Sequence, residues 1–469
     1  MNINRYSEYP HGLTPESRLN RMPRSGRSMT LGISMLALLL TMVVSYPASV
    51  FAIDIKKEKL ANGLTIIYVE KHGLPIVMAT LLIKVSPLQE DPAKAGTAYL
   101  TSKMLAEGTA KRKSADISSQ IDYIGASLDT AVNNDFTTVS LSVLKKDVET
   151  GFDLFSDIVI HPSFHVEELA RRKTMLSGAL KQKQQDPSYI AGRRFAKSIF
   201  GMFSYGRPVE GSIESVGRIM RDDTVRFYDN YYRPGNSTLV LVGDLSRDEV
   251  LKLANRYFGS WKDMSLTKAI KPEQALPKLE RHTEIIDMDV SQANIVIGHR
   301  GISRGNPDYY AVQVMNYILG GGGFASRLMK VIRDEMGLTY SINSSFAPNL
   351  YPGAFEIDVQ TKNESAGRVI EETMKQLRKM RAEGITDEEL RDARDYLIGS
   401  FPRRLETSRK IADFLTSVQF YNLGDDYIDN FGKYIASVTK EDVLRVARKY
   451  LNDEDLLIIV VGNKKKLKL

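Results

Sequence analysis

The chain of 469 residues contains no cysteine, one tryptophan and six histidines. Without cysteine it forms no disulfide, thiolate zinc site, iron–sulfur cluster or cysteine nucleophile. Long apolar runs are scarce as well. The stretch Leu31–Val44 is shorter than the roughly 20 residues a membrane-spanning helix needs. Also missing is the dense basic face with interleaved aromatics that marks a nucleic-acid binder. Part of the net charge of +7 sits in residues 1–52, with five arginines against two glutamates, and the clear basic run is the solvated tail Lys464, Lys465, Lys466 and Lys468. No nucleic-acid partner is therefore expected. What is present, 43% hydrophobic and 26% charged residues, is ordinary for a folded chain of two to three domains.

The first residues read as an address. Arg24 and Arg27 precede the Leu31–Val44 run, and Tyr46-Pro-Ala-Ser-Val-Phe-Ala52 follows it. A positive segment, a short apolar segment and small residues at the end make a secretory signal cut after Ala52. The stretch before Arg21 is long for a signal, which suggests Met22 as the true start. Export to the periplasm or another extracytoplasmic space is the expectation, with membrane contact only through an uncleaved signal.

Beyond Ala52, strands and helices alternate. Thr65–Val69, Met78–Val85, Ser127–Val132, Thr137–Leu144 and Thr238–Val242 are rich in β-branched and apolar residues and read as strands. Helical spacing marks Ala95–Glu107, Ser114–Ile124, Val148–Ile160, Val166–Gln184, Thr224–Tyr232 and Asp248–Phe258. Residues 262–279 are polar, contain Pro272 and Pro277, and read as a linker. The order then recurs. Ala293–Ile297, Tyr340–Phe346 and Gly353–Thr361 are strands, and Tyr309–Leu319, Ala366–Arg381 and Glu388–Ser400 are helices. Asp223-Thr-Val-Arg-Phe-Tyr leads to Thr238-Leu-Val-Leu-Val-Gly243 much as Glu441-Asp-Val-Leu-Arg-Val leads to Leu456-Leu-Ile-Ile-Val-Val-Gly462. In both, a helix feeds an apolar strand that ends in glycine. Duplication of one α+β unit accounts for this, with copies at 53–261 and 280–469. Leu405–Gly432 reads as helical, with Phe414, Val418 and Tyr421 on one side and no evident function.

Several motifs then resemble one family. They are Asn62-Gly-Leu-Thr, Ala95-Gly-Thr-Ala-Tyr-Leu-Thr-Ser-Lys-Met-Leu-Ala-Glu-Gly-Thr109, Tyr205-Gly-Arg-Pro-Val-Glu-Gly211, Tyr231-Tyr-Arg-Pro-Gly-Asn236 and Arg333-Asp-Glu-Met-Gly-Leu-Thr-Tyr340. Together they resemble the pitrilysin and insulinase-like peptidases, in the branch of the mitochondrial processing peptidase. The resemblance implies an α+β fold of two homologous domains, each an antiparallel-rich sheet packed with helices, forming half of a clamshell around a peptide.

Active members of that family carry His-x-x-Glu-His on the first helix. Positions i and i+4 share a helix face, so two imidazoles grip one Zn²⁺ while the glutamate activates the bound water. The matching positions here are Tyr99, Ser102 and Lys103, and the later helix that brings a third, glutamate ligand has Ala179 instead. A phenol, a hydroxymethyl group, an ammonium and a methyl group make no zinc site. No metal is expected in this chain. Of the histidines, only His161 and His165 have ligand-like spacing, but Pro162 disfavours a helix there and an exposed turn is the simpler reading. His299 closes a strand and reads as structural.

The resemblance also implies what the chain retains. In the family an arginine and a tyrosine face the zinc from the second domain, and Arg333 and Tyr340 match them in spacing and context. A phenol can donate to the oxyanion formed during peptide-bond attack, and a guanidinium can hold substrate carbonyls. Taken alone, the same two residues also read as a strand-starting tyrosine and an arginine paired with Asp334 or Glu335. Gly320, Gly321, Gly322 and Gly323 resemble the glycine-rich, substrate-presenting loop of the family's non-catalytic subunits. No Gly-Lys-Ser/Thr follows, so they form no nucleotide loop. The function implied is a zinc-free subunit of a heterodimeric metallopeptidase, acting on peptide or unfolded protein beside a homologous partner that carries the zinc. The alternatives are a non-catalytic scaffold of the respiratory core-protein kind and, more remotely, a zinc peptidase using other ligands.

Overall fold

A computed structural model describes residues 53–262 and 276–469. The signal expected in 1–52 and most of the expected linker lie outside the described residues. The first sheet contains β1 (Lys56–Lys59), β2 (Thr65–Glu70), β3 (Ile76–Ile83), β4 (Ser127–Val132), β5 (Thr137–Leu144) and β6 (Ser237–Gly243), in the order β1-β2-β6-β3-β5-β4. The second contains β7 (His282–Asp287), β8 (Gln292–Arg300), β9 (Thr339–Ala347), β10 (Ala354–Lys362) and β11 (Leu457–Gly462), in the order β7-β11-β8-β10-β9. Apart from β1, the two orders coincide strand for strand. In each, the pair β2–β6 or β7–β11 is parallel and every other pair is antiparallel. The duplication read from the glycine-ended strands is thus a duplication of topology. Those strands, β6 and β11, are buried along their whole length, which is why they are continuous apolar runs.

Helices cover the sheets. The first copy has α1 (Thr97–Met104), α2 (Ser114–Tyr123), α3 (Val148–Ile160), α4 (Val166–Lys183), α5 (Pro187–Phe200), α6 (Ile213–Arg218), α7 (Arg221–Tyr231) and α8 (Arg247–Phe258). The second has α9 (Tyr309–Asn316), α10 (Ala366–Glu383), α11 (Asp387–Ser400), α12 (Ser408–Phe420), α13 (Tyr427–Ala436) and α14 (Lys440–Tyr450). One core joins Ile66, Tyr68, Ala79, Leu81 and Leu141 to Phe152 and Phe155 of α3. Its counterpart joins Ile295, Ile297, Phe355 and Ile458 to Met315, Leu377 and Val443. Among the described residues, no helix is long and apolar enough to cross a membrane.

The other face of each sheet is covered by a helix of the opposite copy. From α5, Phe195, Ile199 and Phe200 pack on Val296, Leu457, Ile459 and Val461 of the second sheet. From α12, Ile411, Ala412 and Leu415 pack on Ile67, Val69, Met78, Val240 and Val242 of the first. The two helices hold equivalent places, third after β5 and third after β10. Sequence reading passed over α5, whose Phe195 and Ile199 stand among Arg193, Arg194 and Lys197. It also took Leu405–Gly432 as one helical stretch, where the structure has α12, a break, and α13.

Buried Asp135, in the turn between β4 and β5, ties this exchange together. Its carboxylate accepts hydrogen bonds from the Tyr205 hydroxyl, the Tyr421 hydroxyl (2.7 Å) and the Leu350 amide (2.9 Å). Tyr421 ends α12, and the adjacent Phe136 ring lies 4.8 Å from Phe420. Burial and the Asp135 charge hold both phenols well above their ordinary pKa, as donors.

Candidate functional site: a displaced metal face and a glycine, arginine and tyrosine rim

Helix α1 is shorter than the expected Ala95–Glu107. Its amino end is held by the buried Glu90 carboxyl, which accepts from the Ala98 amide at 2.6 Å and the Gly96 amide at 3.1 Å. Leu100 and Met104 enter the first core, and Tyr99 and Lys103 are only partly buried. The Lys103 ammonium donates to the Thr130 carbonyl on the edge strand β4 and lies 5.6 Å from the Tyr99 ring centroid. Burial, then the neighbouring Arg172 guanidinium, lowers its pKa. Ser102 is buried with no hydrogen-bond partner on its hydroxyl. Ala179, on α4, is exposed and offers no donor atom.

The nearby carboxylate that does exist is occupied. Glu107, 2% exposed, accepts from Arg171 and Arg172 of α4 and from the Ser114 hydroxyl at 3.1 Å. Cations therefore stand where the family holds a cation, and the donor set does not fit zinc. Among the described residues, no cluster of three His, Cys, Asp or Glu is placed to hold a metal. His161 and His165 are exposed, but the segment between them is not the expected exposed turn, because Pro162 bridges Thr109 and Phe164 is buried in the first core. Buried His299 hydrogen-bonds the Arg300 carbonyl through Nδ1 at 2.8 Å, and its ring centroid lies 5.0 Å from that of Phe355.

The second copy presents a different surface. Helix α9 widens into a π-helical turn, Tyr317–Gly321, and a second such turn spans Met329–Glu335. Wide turns of this kind gather at functional sites. Gly320 is pressed against β9, where a Cβ would stand 2.5 Å from the Ser344 hydroxyl. Gly323 has φ +58°, which glycine adopts without strain. Phe324, immediately after the run, is 71% exposed, and the Arg333 guanidinium lies 4.8 Å from its ring centroid. Arg333 also pairs with Asp334 at 2.6 Å. Tyr340 is the second residue of the edge strand β9 and is 88% exposed. Thr339 before it bonds the Gln360 carbonyl at 2.7 Å, where the β9–β10 register shifts.

The structure thus joins the glycine run to Arg333 through Phe324, a residue sequence reading left out. No sequence pattern signalled it, because a phenylalanine directly after four glycines reads equally well as the end of a turn. Neither a hydrogen bond nor a cation–π interaction joins Arg333 to Tyr340, whose elements nevertheless pack together.

Two sheets of matching topology, each backed by its own helices and crossed by one helix of the other, define a two-domain peptidase-like α+β fold. Residues 65–212 match the family profile described as Insulinase (Peptidase family M16), and residues 218–397 match that of the Peptidase M16 inactive domain. The chain belongs to the M16 peptidase family. It is similar to a crystal structure titled peptidase M16 inactive domain from Pseudomonas fluorescens, with a TM-score of 0.82 and 29% identity over 89% of this chain and 100% of that one. A protease structure from Helicobacter pylori has the same fold, with a TM-score of 0.82 at 19% identity, covering 87% of this chain and 99% of that one. Among curated relatives, an uncharacterized zinc protease of Rickettsia bellii is 27% identical over 87% of this chain and 97% of its own length. The uncharacterized zinc protease YmxG of Bacillus subtilis is 25% identical over 76% of this chain and 85% of its own length.

Proposed function

We propose that this chain is the zinc-free subunit of a two-subunit M16 peptidase, exported with its partner, and that it holds the peptide and stabilises the oxyanion through Arg333 and Tyr340. The observation that carries the reading is an asymmetry between the copies. In the first, the positions that would hold zinc are a hydrogen-bonded ammonium, a phenol, a buried hydroxyl and a methyl group. In the second, a phenol stands 88% exposed on an edge strand beside a glycine run and an arginine. An edge strand offers unpaired backbone groups, so an extended peptide can add to it with little demand on sequence. A hydroxyl at Tyr340 can then donate to the developing oxyanion, and the guanidinium of Arg333 can hold neighbouring carbonyls. The hydrolytic metal belongs to a homologous partner with an intact His-x-x-Glu-His.

The test is reconstitution. A zinc-bearing homologue encoded nearby is purified, mixed with this chain, and assayed for peptide hydrolysis. Neither protein alone should turn over, and this chain should contain no stoichiometric zinc. In the mixture, Tyr340→Phe should cost about 2.7–4 kcal/mol of transition-state stabilisation, a 10²–10³-fold drop in kcat. Unchanged turnover by Tyr340→Phe and Arg333→Ala in a complex that still assembles would leave the scaffold reading in its place. N-terminal sequencing of the mature chain tests cleavage after Ala52.

A further inference from the structure

An open cavity of about 690 Å³ adjoins the glycine run. Asn316, Tyr317 and Gly321 form one wall, the end of α11 with the turn Phe401–Leu405 a second, and the start of α12 a third. Its charge is one-sided, with Arg403, Arg404 and Lys410 against the single acid Asp413. Lys410 is paired with Glu406 at 2.9 Å. Arg403 and Arg404 have no carboxylate at ion-pair distance among the described residues; Glu406, paired with Lys410, also feels the Arg403 charge, and both guanidiniums lie near aromatic rings. Arg403 lies 5.9 Å from the Tyr396 ring centroid, and Arg404 lies 5.9 Å and 5.6 Å from those of Phe401 and Phe431. The Tyr396 ring in turn stacks on Tyr317 at 4.8 Å, and the Tyr317 carbonyl accepts from the Gly322 amide at 2.8 Å. A continuous wall therefore runs from the glycine backbone, across two stacked phenols, to a guanidinium with no carboxylate at ion-pair distance.

A guanidinium offers a planar fork of donors that fits a carboxylate with two parallel bonds, and the stacked rings fit the methylenes that carry one. Gly321 brings exposed backbone to this wall, where a Cβ would stand 2.6 Å from the Asn316 side-chain amide. We infer that this cavity is a carboxylate-recognition subsite, in which Arg403 and Arg404 take an acidic side chain or the free α-carboxylate of the peptide held at the glycine run. The inference rests on reading the chain as a substrate-holding subunit, but not on a zinc-bearing partner.

Calorimetric titration of the full-length mature chain alone, at low salt, provides the test. Three N-acetylated peptides of one sequence are used: central Gln with a C-terminal amide, central Glu with a C-terminal amide, and central Gln with a free C-terminal carboxylate. At least one acid-bearing peptide should bind about tenfold or more tightly than the neutral one. A gain for the Glu peptide assigns the site to a side chain, and a gain for the free acid assigns it to a chain end. Arg403→Gln with Arg404→Gln should abolish the preference. Because Arg404 packs on core aromatics, Arg403→Gln alone is measured as well and should lose about half of it on the free-energy scale, with an unchanged urea midpoint as the check on folding. Equal affinities for the three peptides, no binding at millimolar concentration, or a preference retained in the double variant would overturn the assignment. Reconstituted hydrolysis that depends on Arg333 and Tyr340 would still stand in that event. A carboxylate preference with no reconstituted activity would instead sink the catalytic reading and keep this one.

Discussion

Removing the Asp135 carboxylate should unfasten the two copies from one another. The wild-type group accepts from Tyr205, Tyr421 and the Leu350 amide, so it bonds one side chain of its own copy and two groups of the other. Asp135 is 4% exposed, so Asp135→Ala strands the buried Tyr205 hydroxyl and leaves two part-buried donors without their acceptor. An unsatisfied buried donor costs about 1–3 kcal/mol. Tyr421 and the Leu350 amide are part-buried and recover some of this from solvent, which gives about 2–4 kcal/mol in all. Tyr421→Phe removes one charge-assisted bond without stranding the acid, and should cost about 1.5 kcal/mol. The pair is measured by urea unfolding with two probes. The single tryptophan, Trp261, is buried against Phe258 of the first copy and reports there, whereas far-UV circular dichroism averages both copies. Because α5 and α12 each complete the opposite sheet, the two probes should report one coincident transition in the wild type. The double variant should show a coupling of about 0.5–3 kcal/mol. An Asp135→Ala midpoint within experimental error of wild type, or two separated transitions in the unmutated chain, would refute this account.

Burial pushes the Glu90 carboxyl up to about 8, against the Ala98 and Gly96 amides and Arg207, which pull it down. Unfolded, it titrates near 4.5, so between these values the folded state binds the extra proton and stability falls as pH rises. Glu90→Gln should flatten a slope of up to about 1.4 kcal/mol per pH unit between pH 5 and 8, and matching urea pH profiles for variant and wild type would count against it. Gly320→Ala drives a Cβ into Ser344 and should cost about 1–3 kcal/mol, whereas Gly178→Ala, on α4 with nothing within 4 Å, should gain about 0.5–1 kcal/mol. The two melting temperatures, read side by side, check both signs. Leu415→Ala, on the exchanged helix α12, should cost about 2–5 kcal/mol and broaden the Trp261 transition although the substitution lies in the other copy.

Much of the fold was legible because local rules decided it. The strands Ser127–Val132 and Thr137–Leu144 and the helix Val148–Ile160 fall where alternation and helical spacing placed them. The paired glycine-ended strands announced a duplication that the sheet orders repeat. The candidate site was legible in part. Tyr340, Gly321 and Gly323 are exposed and Gly320 is buried against β9, but nothing in the chain's spacing signalled that Phe324 lies against Arg333. That Arg403 and Arg404 have no carboxylate at ion-pair distance among the described residues was equally invisible, since such a distance is a fact about space.

The amino-acid sequence by itself determined most of the strands and helices, that one unit is repeated, and that the first helix offers no ligands to zinc, because these follow from residue chemistry and near-neighbour spacing. Only the tertiary structure decided that α5 and α12 change sheets and that Asp135 fastens the exchange. Helical periodicity marks a face as apolar without saying which of two equally apolar sheets it will cover.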